Sequence, residues 1–324
     1  MNLFNECKEK LKGRKVKIVF PEGLDPRILE ACVKLAVEDC VKPLVIGEKE
    51  KIENTCKSNG LDPSVLTIID PANYPSIDLM VAEFVKRRNG KIDEVRAREL
   101  VLTDYNYFGT MLVYLDEAKG LVSGAVGTTA NTVRPALQII KMHPNYNLVS
   151  GVFLMLKESE RYLFGDCAIN INPDSKTLAE IAICSSHTAR KFGIDPRVGF
   201  LSFSTFGSAS SPEQDKVATA VRLAKELDPE LICDGEMQLD AAIVPTVASK
   251  KAPNSPVAGK VNTFIFPTLD AGNIGYKIAE RFGKYQAIGP ILQGLAKPVN
   301  DLSRGCSAQD VYNLALITAV QSLD

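Results

Sequence analysis

The chain has 324 residues, 45% of them hydrophobic and 24% charged, which is the composition of an ordinary globular protein with substantial cores. A chain of this length predicts two domains of roughly 150 residues each. The formal net charge of −1 provides no general attraction to nucleic acid or to an anionic membrane. An anionic ligand must therefore be held by a few well-placed cations.

The N-terminal residues, MNLFNECKEKLKG, interleave charged and apolar side chains and lack the apolar core of a signal peptide. No stretch approaches the roughly 20 apolar residues of a transmembrane helix. The eight cysteines include no C-x-x-C pair, and the two histidines lie apart from them in the sequence. Neither a zinc site nor a disulfide framework is indicated. We expect a cytoplasmic protein with reduced thiols, no metal and no bound cofactor.

Strand-like and helix-like segments alternate in the first half of the chain. The apolar run VKIVFPEG, from Val16 to Gly23, predicts a strand, and Asp25 with Pro26 begins a helix after it. Two further strands are predicted at 43–47 and 120–125, and helices at 78–88 and 93–102. Continuous apolar strands separated by helices indicate a parallel sheet that is covered on both faces.

A second series of segments begins near Asn147. The sequences NLVSGVFLML and RYLFGDCAINI predict neighbouring strands. Asp174 or Ser175 caps a long helix that Gly193 can end, and Ser211 followed by Pro212 begins another. The last segment, 301–324, reads as a loop and one amphipathic helix that packs on the first domain.

These elements predict an α/β fold with two three-layer α/β/α domains, mostly parallel sheets and a cleft between the domains. The first domain is expected to comprise residues 1–145 and 297–324, and the second residues 146–296. In such folds, ligands bind at the carboxyl ends of the strands.

The loop before the last helix carries the strongest local signal. Ser307 can cap this helix with Asp310 in the third helical position, and a helix start attracts anions. Arg304 lies just outside it and adds a permanent cation. On local grounds Asp310 is either a capping carboxylate or a catalytic one, and Ser303 is either a turn residue or a functional one.

Three other segments have weaker signals. The run from Gly127 to Pro135, which contains Thr132 and Arg134, joins a strand to a helix. It is either a phosphate-binding loop or an ordinary turn in which the arginine is solvated. The small-residue loop from Ser202 to Ser211, which contains Ser208, lacks the G-K-[ST] ending of a P-loop. The cluster Lys86-Arg87-Arg88 is either an anion site or a solvated helix end.

Taken together, these segments resemble the phosphate acetyltransferases, also called phosphotransacetylases. The resemblance is carried by the following stretches, in this order along the chain: TANTVRPALQIIK, FGDCAINI, LSFST, PTLDAGNIGYKIAERFG, GPILQGL and PVNDLSRGCSAQDVYNLALITAVQSL. The fold it implies resembles that of the isocitrate and isopropylmalate dehydrogenases, and the folded unit is usually a homodimer. The reaction it implies is reversible acetyl transfer between coenzyme A and phosphate, by direct attack in a ternary complex.

The family's functional residues fall on a defined set of positions. Its serine–arginine pair corresponds to Ser303 and Arg304, and its catalytic aspartate to Asp310. Its other functional arginines correspond to Arg134 and to Arg87, with Arg88 as the alternative to Arg87. Thr132 and Ser208 are further candidates for binding coenzyme A or phosphate. A cysteine near the family's active site corresponds to Cys167, which we interpret as structural because direct transfer needs no enzyme nucleophile.

The sequence departs from the family pattern at three positions. Gly127 stands where many members have histidine, Asn131 where many have aspartate, and Phe206 where a lysine is frequent. These changes leave Ser303, Arg304 and Asp310 in place, but they put in doubt any ligand contact at the three changed positions.

Three alternative functions remain open on the sequence. One is a phosphate butyryltransferase-like enzyme that prefers a longer acyl group. Another is a nicotinamide-dependent dehydrogenase of similar topology, although the chain lacks a G-x-G-x-x-G motif. The third is a noncatalytic sensor of acyl phosphate or coenzyme A.

Overall fold

The structure is a computed structural model that describes residues 3–323. These residues divide into two compact units, one formed by residues 3–143 and 295–323 and the other by residues 144–294. Each unit contains one sheet with helices on both faces. The predicted three-layer α/β architecture is therefore confirmed. No helix within residues 3–323 is both long and apolar enough to cross a membrane.

Helices and strands are numbered in chain order. The strands are β1 (Lys17–Phe20), β2 (Lys42–Ile46), β3 (Thr67–Ile69), β4 (Gly120–Ser123), β5 (Ser150–Lys157), β6 (Glu160–Gly165), β7 (Val198–Leu201), β8 (Cys233–Met237), β9 (Thr263–Ile265), β10 (Gln286–Gln293) and β11 (Val299–Asp301). The α-helices are α1 (Leu3–Leu11), α2 (Pro26–Val37), α3 (Lys49–Ser58), α4 (Ile77–Arg88), α5 (Glu94–Thr103), α6 (Tyr105–Tyr114), α7 (Thr129–Pro135), α8 (Ser175–Lys191), α9 (Pro212–Leu227), α10 (Leu239–Ile243), α11 (Pro245–Lys251), α12 (Leu269–Arg281) and α13 (Ala308–Gln321). A π-helical segment, Ala136–Ile140, continues α7.

The sheet of the first unit has the strand order β11-β4-β1-β2-β3, and all its pairings are parallel. One face is covered by α4, α5 and α6, whose buried Phe84, Phe108 and Met111 pack against Val19 and Leu121 of the strands. The other face is covered by α2 and α13, and α1 packs against α13. Because the strands are parallel, their carboxyl ends all lie along one edge of the sheet.

The helix α13 differs from its prediction. It was expected to be amphipathic, but every residue from Val311 to Val320 is buried. The helix contacts α1 and α2 as well as β1 and β4. A helix that has neighbours all round is buried on every side, so it needs no polar face.

The second unit has a mixed sheet in the order β10-β5-β6-β9-β7-β8. β5 is antiparallel to β10 and β6, whereas β6, β9, β7 and β8 pair in parallel. α8 and α9 pack on one face around Phe200, and α10 and α12 pack with Phe153 and Met237 in a separate core. In the parallel part of this sheet, the carboxyl ends of β6, β9, β7 and β8 again lie along one edge.

The predicted helix starts at Asp25, Asp174 and Ser211 are confirmed. Their side chains accept hydrogen bonds from backbone amides two or three residues later, at 2.9, 2.8 and 3.2 Å respectively. Each such bond satisfies an amide that has no partner within its helix.

Candidate functional site

Three loops meet at the carboxyl edge of the first unit's sheet. They follow β1, β4 and β11, which are adjacent in the sheet. The β11–α13 loop carries Ser303 and Arg304, and the β4–α7 loop leads to Arg134. Parallel strand order thus places at one edge several of the residues that the sequence singled out.

Arg27 connects these three loops. Its Nη1 donates hydrogen bonds to the main-chain oxygens of Arg304 and Cys306 at 2.8 and 3.0 Å. Its Nη2 donates to the main-chain oxygen of Ala125 at 2.8 Å and to Asp25 Oδ2 at 2.7 Å. The hydrogen bond from Arg27 lowers the pKa of Asp25. One guanidinium therefore ties the β1–α2 loop to both of the others.

Glu22 makes a second connection between the β1–α2 and β4–α7 loops. Its Oε2 accepts a hydrogen bond from the backbone amide of Ala125 at 2.7 Å, and its Oε1 accepts from Val126 and Gly127 at 3.0 and 2.8 Å. The next amide, of Thr128, donates to Asn131 Oδ1 at 2.9 Å. These four amides are thus already satisfied by side chains of the protein itself.

A third connection comes from the end of β11. Asp301, which is 1% exposed, accepts hydrogen bonds from the hydroxyls of Thr129 at 2.6 Å and Thr132 at 2.8 Å. Burial raises the pKa of Asp301, and the two hydroxyl donors oppose that shift. The carboxyl group holds the first turn of α7 against β11. It also explains Gly124, since a Cβ there would lie 2.3 Å from Asp301 Oδ1.

Ser303 and Arg304 are exposed on the loop that Arg27 anchors. Ser303 Oγ accepts a hydrogen bond from the amide of Gly305 at 3.3 Å, which leaves its proton available to a ligand. Among residues 3–323, the Arg304 guanidinium makes no hydrogen bond or ion pair, although its main chain is fixed. A fixed backbone with an unpaired cation suits an anionic ligand.

Asp310 lies in the first turn of α13 and is part of a capping box. Its Oδ2 accepts hydrogen bonds from the amide and hydroxyl of Ser307 at 2.9 and 2.8 Å, and Ser307 Oγ accepts from the Asp310 amide at 3.2 Å. The predicted cap is therefore confirmed. Oδ1 has no partner in the described part of the chain, so capping leaves one carboxylate oxygen available for chemistry.

Arg134 and Thr132 lie on α7 but have different surroundings. Arg134 is exposed, and its guanidinium has no partner within the described residues. Thr132 is 1% exposed and donates its hydroxyl proton to Asp301. A role for Thr132 in substrate binding stays a prediction, and the structure gives this residue a contact that stabilises α7.

Arg87 lies at the C-terminal end of α4, where it contacts the π-helical segment. Its Nε donates to the main-chain oxygen of Ile139 at 2.6 Å, and its Nη2 to that of Ile140 at 2.9 Å. The guanidinium also lies 5.1 Å from the ring centre of Tyr114. Arg88, the alternative to Arg87, makes no such contact among residues 3–323. The proposed ligand role of Arg87 stays untested, and its structural contacts are extensive.

Ser208 belongs to the second unit, in the loop between β7 and α9. Its Oγ accepts a hydrogen bond from the Thr205 amide at 3.0 Å. Glu236 Oε1 accepts from the Gly207 amide at 2.7 Å and from Ser204 Oγ at 2.9 Å. Hydrogen bonds to hydroxyl groups and to one buried carboxyl group therefore stabilise this loop, while Ser208 stays exposed.

Sequence reasoning missed Glu22, Arg27 and Asp301 as organisers of the site. Glu22 and Asp301 lie at or just after the end of a strand, and Arg27 lies in the first turn of α2. These positions are usable signals, but the partners of the three residues are distant in the sequence. Among residues 3–323, no group of three or more His, Cys, Asp or Glu side chains is arranged to hold a metal ion. The exposed cations of Arg134 and Arg304 suit phosphate groups.

Comparison with known proteins identifies related sequences over nearly the whole chain. Residues 2–319 match the family described as phosphate acetyl/butaryl transferase. The phosphate acetyltransferase of Bacillus subtilis (strain 168) is 59% identical over 99% of both chains. That of Staphylococcus aureus (strain Mu50) is 54% identical over 99% of both chains.

Solved structures show the same relationship. A phosphotransacetylase from Streptococcus pyogenes superposes with a TM-score of 0.95 at 53% identity, covering 99% of this chain and 98% of that one. A branched-chain phosphotransacylase from Enterococcus faecalis has a TM-score of 0.69 at 20% identity, over 95% and 99% of the two chains. The second similarity shows the fold alone.

Proposed function

Because the chain belongs to the phosphate acetyl/butaryl transferase family, we propose that it transfers an acetyl group reversibly between coenzyme A and inorganic phosphate. Its relatives at 54–59% identity carry the name phosphate acetyltransferase. The observation in this chain that supports the proposal most directly concerns Arg304, whose guanidinium has no partner among residues 3–323 and whose loop is held through its backbone by Arg27. The substrates are small molecules, and coenzyme A acts as a substrate rather than as a bound cofactor.

The transfer proceeds by direct attack in a ternary complex. The sulfur of coenzyme A attacks the acetyl carbon of acetyl phosphate, so that a C–S bond forms and the C–O bond to phosphate breaks. The electron pair of that bond leaves with the phosphate. A free thiol has a pKa of about 8.5, so its proton must be removed at neutral pH. Asp310 Oδ1, which has no partner among the described residues, is the proposed acceptor of this proton or the group that orients the thiol.

Charge on the reacting oxygens is stabilised by the exposed side chains of the β11–α13 loop. The positively charged guanidinium of Arg304 can bridge the acetyl oxygen and the leaving phosphate, and Ser303 donates one further hydrogen bond. A preorganised donor of this kind typically contributes roughly 3–4 kcal/mol. Arg134 and Arg87 are proposed to hold phosphate groups, with Thr132 and Ser208 as further polar contacts.

Cys167 is not proposed as a nucleophile. The side chain is fully buried, and burial raises the pKa of its thiol well above the range of a free thiol. A nucleophilic cysteine needs the opposite shift, because the thiolate is the reactive form. Its environment therefore supports direct transfer without a covalent enzyme intermediate.

We also propose that the enzyme is cytoplasmic and acts as a homodimer. All eight cysteines are buried and none forms a disulfide, which accords with a reducing compartment. On α12 and just after it, Ile274, Ile278 and Phe282 are 57%, 53% and 85% exposed, and their spacing places them on one side. Such an apolar row is typical of a surface that a second subunit covers. Sedimentation analysis at several protein concentrations tests the dimer.

The deciding experiment mixes acetyl phosphate and coenzyme A with the protein and follows thioester formation. Rapid formation of acetyl-CoA is expected, together with a lower kcat/KM for butyryl phosphate under the same conditions. A preference for butyryl phosphate would assign the longer-chain alternative. Binding of coenzyme A without thioester formation would instead indicate a sensor.

A further inference from the structure

Glu22 is an acidic side chain that has no role in the proposed reaction. Its hydrogen bonds nevertheless all come from one neighbouring loop. All three donors are successive backbone amides, of Ala125, Val126 and Gly127, and all lie on the neighbouring β4–α7 loop. Successive backbone amides that point to one place form a concave site for an anion. Here that site is filled by a carboxylate of the protein itself.

The loop that Glu22 holds leads directly into α7, which carries Arg134. From the β11 side, Asp301 binds the hydroxyls of Thr129 and Thr132 in the same helix. The start of α7 is therefore held from two sides, through the preceding loop by Glu22 after β1 and directly by Asp301 at the end of β11. Arg134 itself has no side-chain partner among residues 3–323, so its position depends on this backbone.

We propose that Glu22 is a positioning residue for acetyl transfer, acting through the β4–α7 loop on Arg134. The assignment rests on the proposed function, in which Arg134 holds a phosphate group of a substrate. Both carboxylate oxygens of Glu22 accept hydrogen bonds from backbone amides. A glutamine has only one such oxygen. In Glu22→Gln, one oxygen becomes an NH2 group, and a donor then faces a backbone N–H.

A double-mutant cycle tests this coupling. Glu22→Gln is expected to lower kcat/KM about tenfold or more, since small displacements of a positioning group cost up to about a hundredfold. It should raise the KM of the same substrate whose KM rises in Arg134→Ala. In the Arg134→Ala background, Glu22→Gln should change kcat/KM by less than about twofold, because residues that act through one another are not additive. Glu30→Gln, at an exposed site on α2, is the matched control and should be neutral.

Hydrogen exchange gives a readout that does not depend on activity. In the Glu22→Gln variant, the amides of Ala125, Val126 and Gly127 should exchange faster than in the unaltered protein, whereas those of β1 should not. If Glu22→Gln does not fold, Glu22→Asp keeps the charge with a shorter reach and should lose the same protection.

Three results would overturn the assignment, and they can be told apart. Additive effects of Glu22→Gln and Arg134→Ala would show that Glu22 acts independently of Arg134. Unchanged exchange at residues 125–127 would show that the carboxylate does not fix the loop. Absence of thioester formation by the unaltered protein would remove the proposed function and this role with it.

Discussion

The guanidinium of Arg27 donates a hydrogen bond of 2.8 Å to the main-chain oxygen of Arg304, which lies 277 positions later in the chain. A second bond from the same nitrogen reaches the main-chain oxygen of Cys306 at 3.0 Å. The loop that carries the proposed catalytic cation is therefore held through its backbone by a side chain from the first helix after β1. The Arg304 side chain takes no part in these bonds and stays available to a ligand.

Replacement of Arg27 tests this connection. In Arg27→Lys the positive charge remains, but a lysine lacks the planar fork that reaches Asp25, Ala125 and the β11–α13 loop together. We expect the free energy of unfolding to fall by about 1–3 kcal/mol and kcat to fall with it. Urea unfolding and steady-state kinetics measure the two effects. Arg14→Lys, at an exposed site without a described partner, is the control, and equal behaviour of the two variants would contradict the connection.

Gly124 should tolerate no side chain. Its φ is +101°, a region that favours glycine, and a Cβ would lie 2.3 Å from Asp301 Oδ1 and 2.7 Å from the Leu302 amide. Gly124→Ala should therefore lower the melting temperature far more than Gly13→Ala, whose φ is +73° but whose Cβ would meet nothing within 4 Å. Both variants share a backbone strain of roughly 1–3 kcal/mol, because both positions have a positive φ. The difference between their melting temperatures therefore reports the steric clash at position 124 alone. Similar losses in both variants would show that the β4–α7 loop can move away from Asp301.

The buried carboxyl group of Asp301 predicts a specific pH dependence of stability. Burial raises its pKa above the ordinary value of 3.8, so the folded state holds the proton more tightly than the unfolded state. Its contribution to stability is complete below the unfolded pKa and is lost as the pH rises through the folded pKa. In Asp301→Asn this dependence disappears.

The free energy of unfolding of Asp301→Asn minus that of the unaltered protein should therefore increase as the pH rises from about 4 to 7. Urea unfolding of both proteins at several pH values measures this difference, in which the other carboxyl groups cancel. A difference that is constant or decreases with pH would mean that Asp301 is ionised at least as readily in the folded protein as in the unfolded chain.

Arg87 and Arg88 form a matched pair for separating structure from ligand binding. Arg87 donates to the carbonyl oxygens of Ile139 and Ile140, whereas Arg88 has no described partner. Arg87→Ala should lower the free energy of unfolding by about 1–3 kcal/mol, since it leaves two carbonyl groups without their donor, and Arg88→Ala should lower it little. The variant that also raises the KM for coenzyme A identifies the arginine that binds ligand. Equal stability of both variants would contradict the structural role of Arg87.

Local sequence signals predicted the elements whose boundaries depend on neighbouring residues. Asp25-Pro26, Asp174 and Ser211-Pro212 mark helix starts because each side chain satisfies an amide of its own first turn. The Ser307–Asp310 cap was predictable for the same reason. These interactions span no more than three residues, so the sequence alone contains them.

Two helices were harder to predict because they are buried on all sides. α6 is buried at every position from Tyr107 to Val113, and α13 from Val311 to Val320. A helix without a solvated face has no alternation of polar and apolar residues at helical spacing, which is the main signal for a surface helix. The sequence therefore does not predict α6, and it predicts α13 as an amphipathic helix although α13 is buried on all sides.

The hydrogen bonds around the site depend on strand order, which the sequence does not encode locally. Glu22, Arg27 and Asp301 reach partners 103, 277 and 169 residues away, respectively. These contacts exist because β1, β4 and β11 are adjacent. The types of these three residues, near strand ends or in the first turn of a helix, could be recognised from sequence, whereas their partners could not.

The role proposed for Arg304, stabilisation of charge on the reacting acyl phosphate, is tested by the turnover of Arg304→Ala. Because Arg27 binds the main-chain oxygen of Arg304, truncating the side chain should leave the loop and the melting temperature unchanged. We expect kcat for acetyl-CoA formation to fall at least about a hundredfold. Arg222→Ala, which removes an exposed arginine of α9, should retain full activity. If a folded Arg304→Ala protein turned over nearly as fast as the unaltered chain, Arg304 would have no role in stabilising the reacting charge.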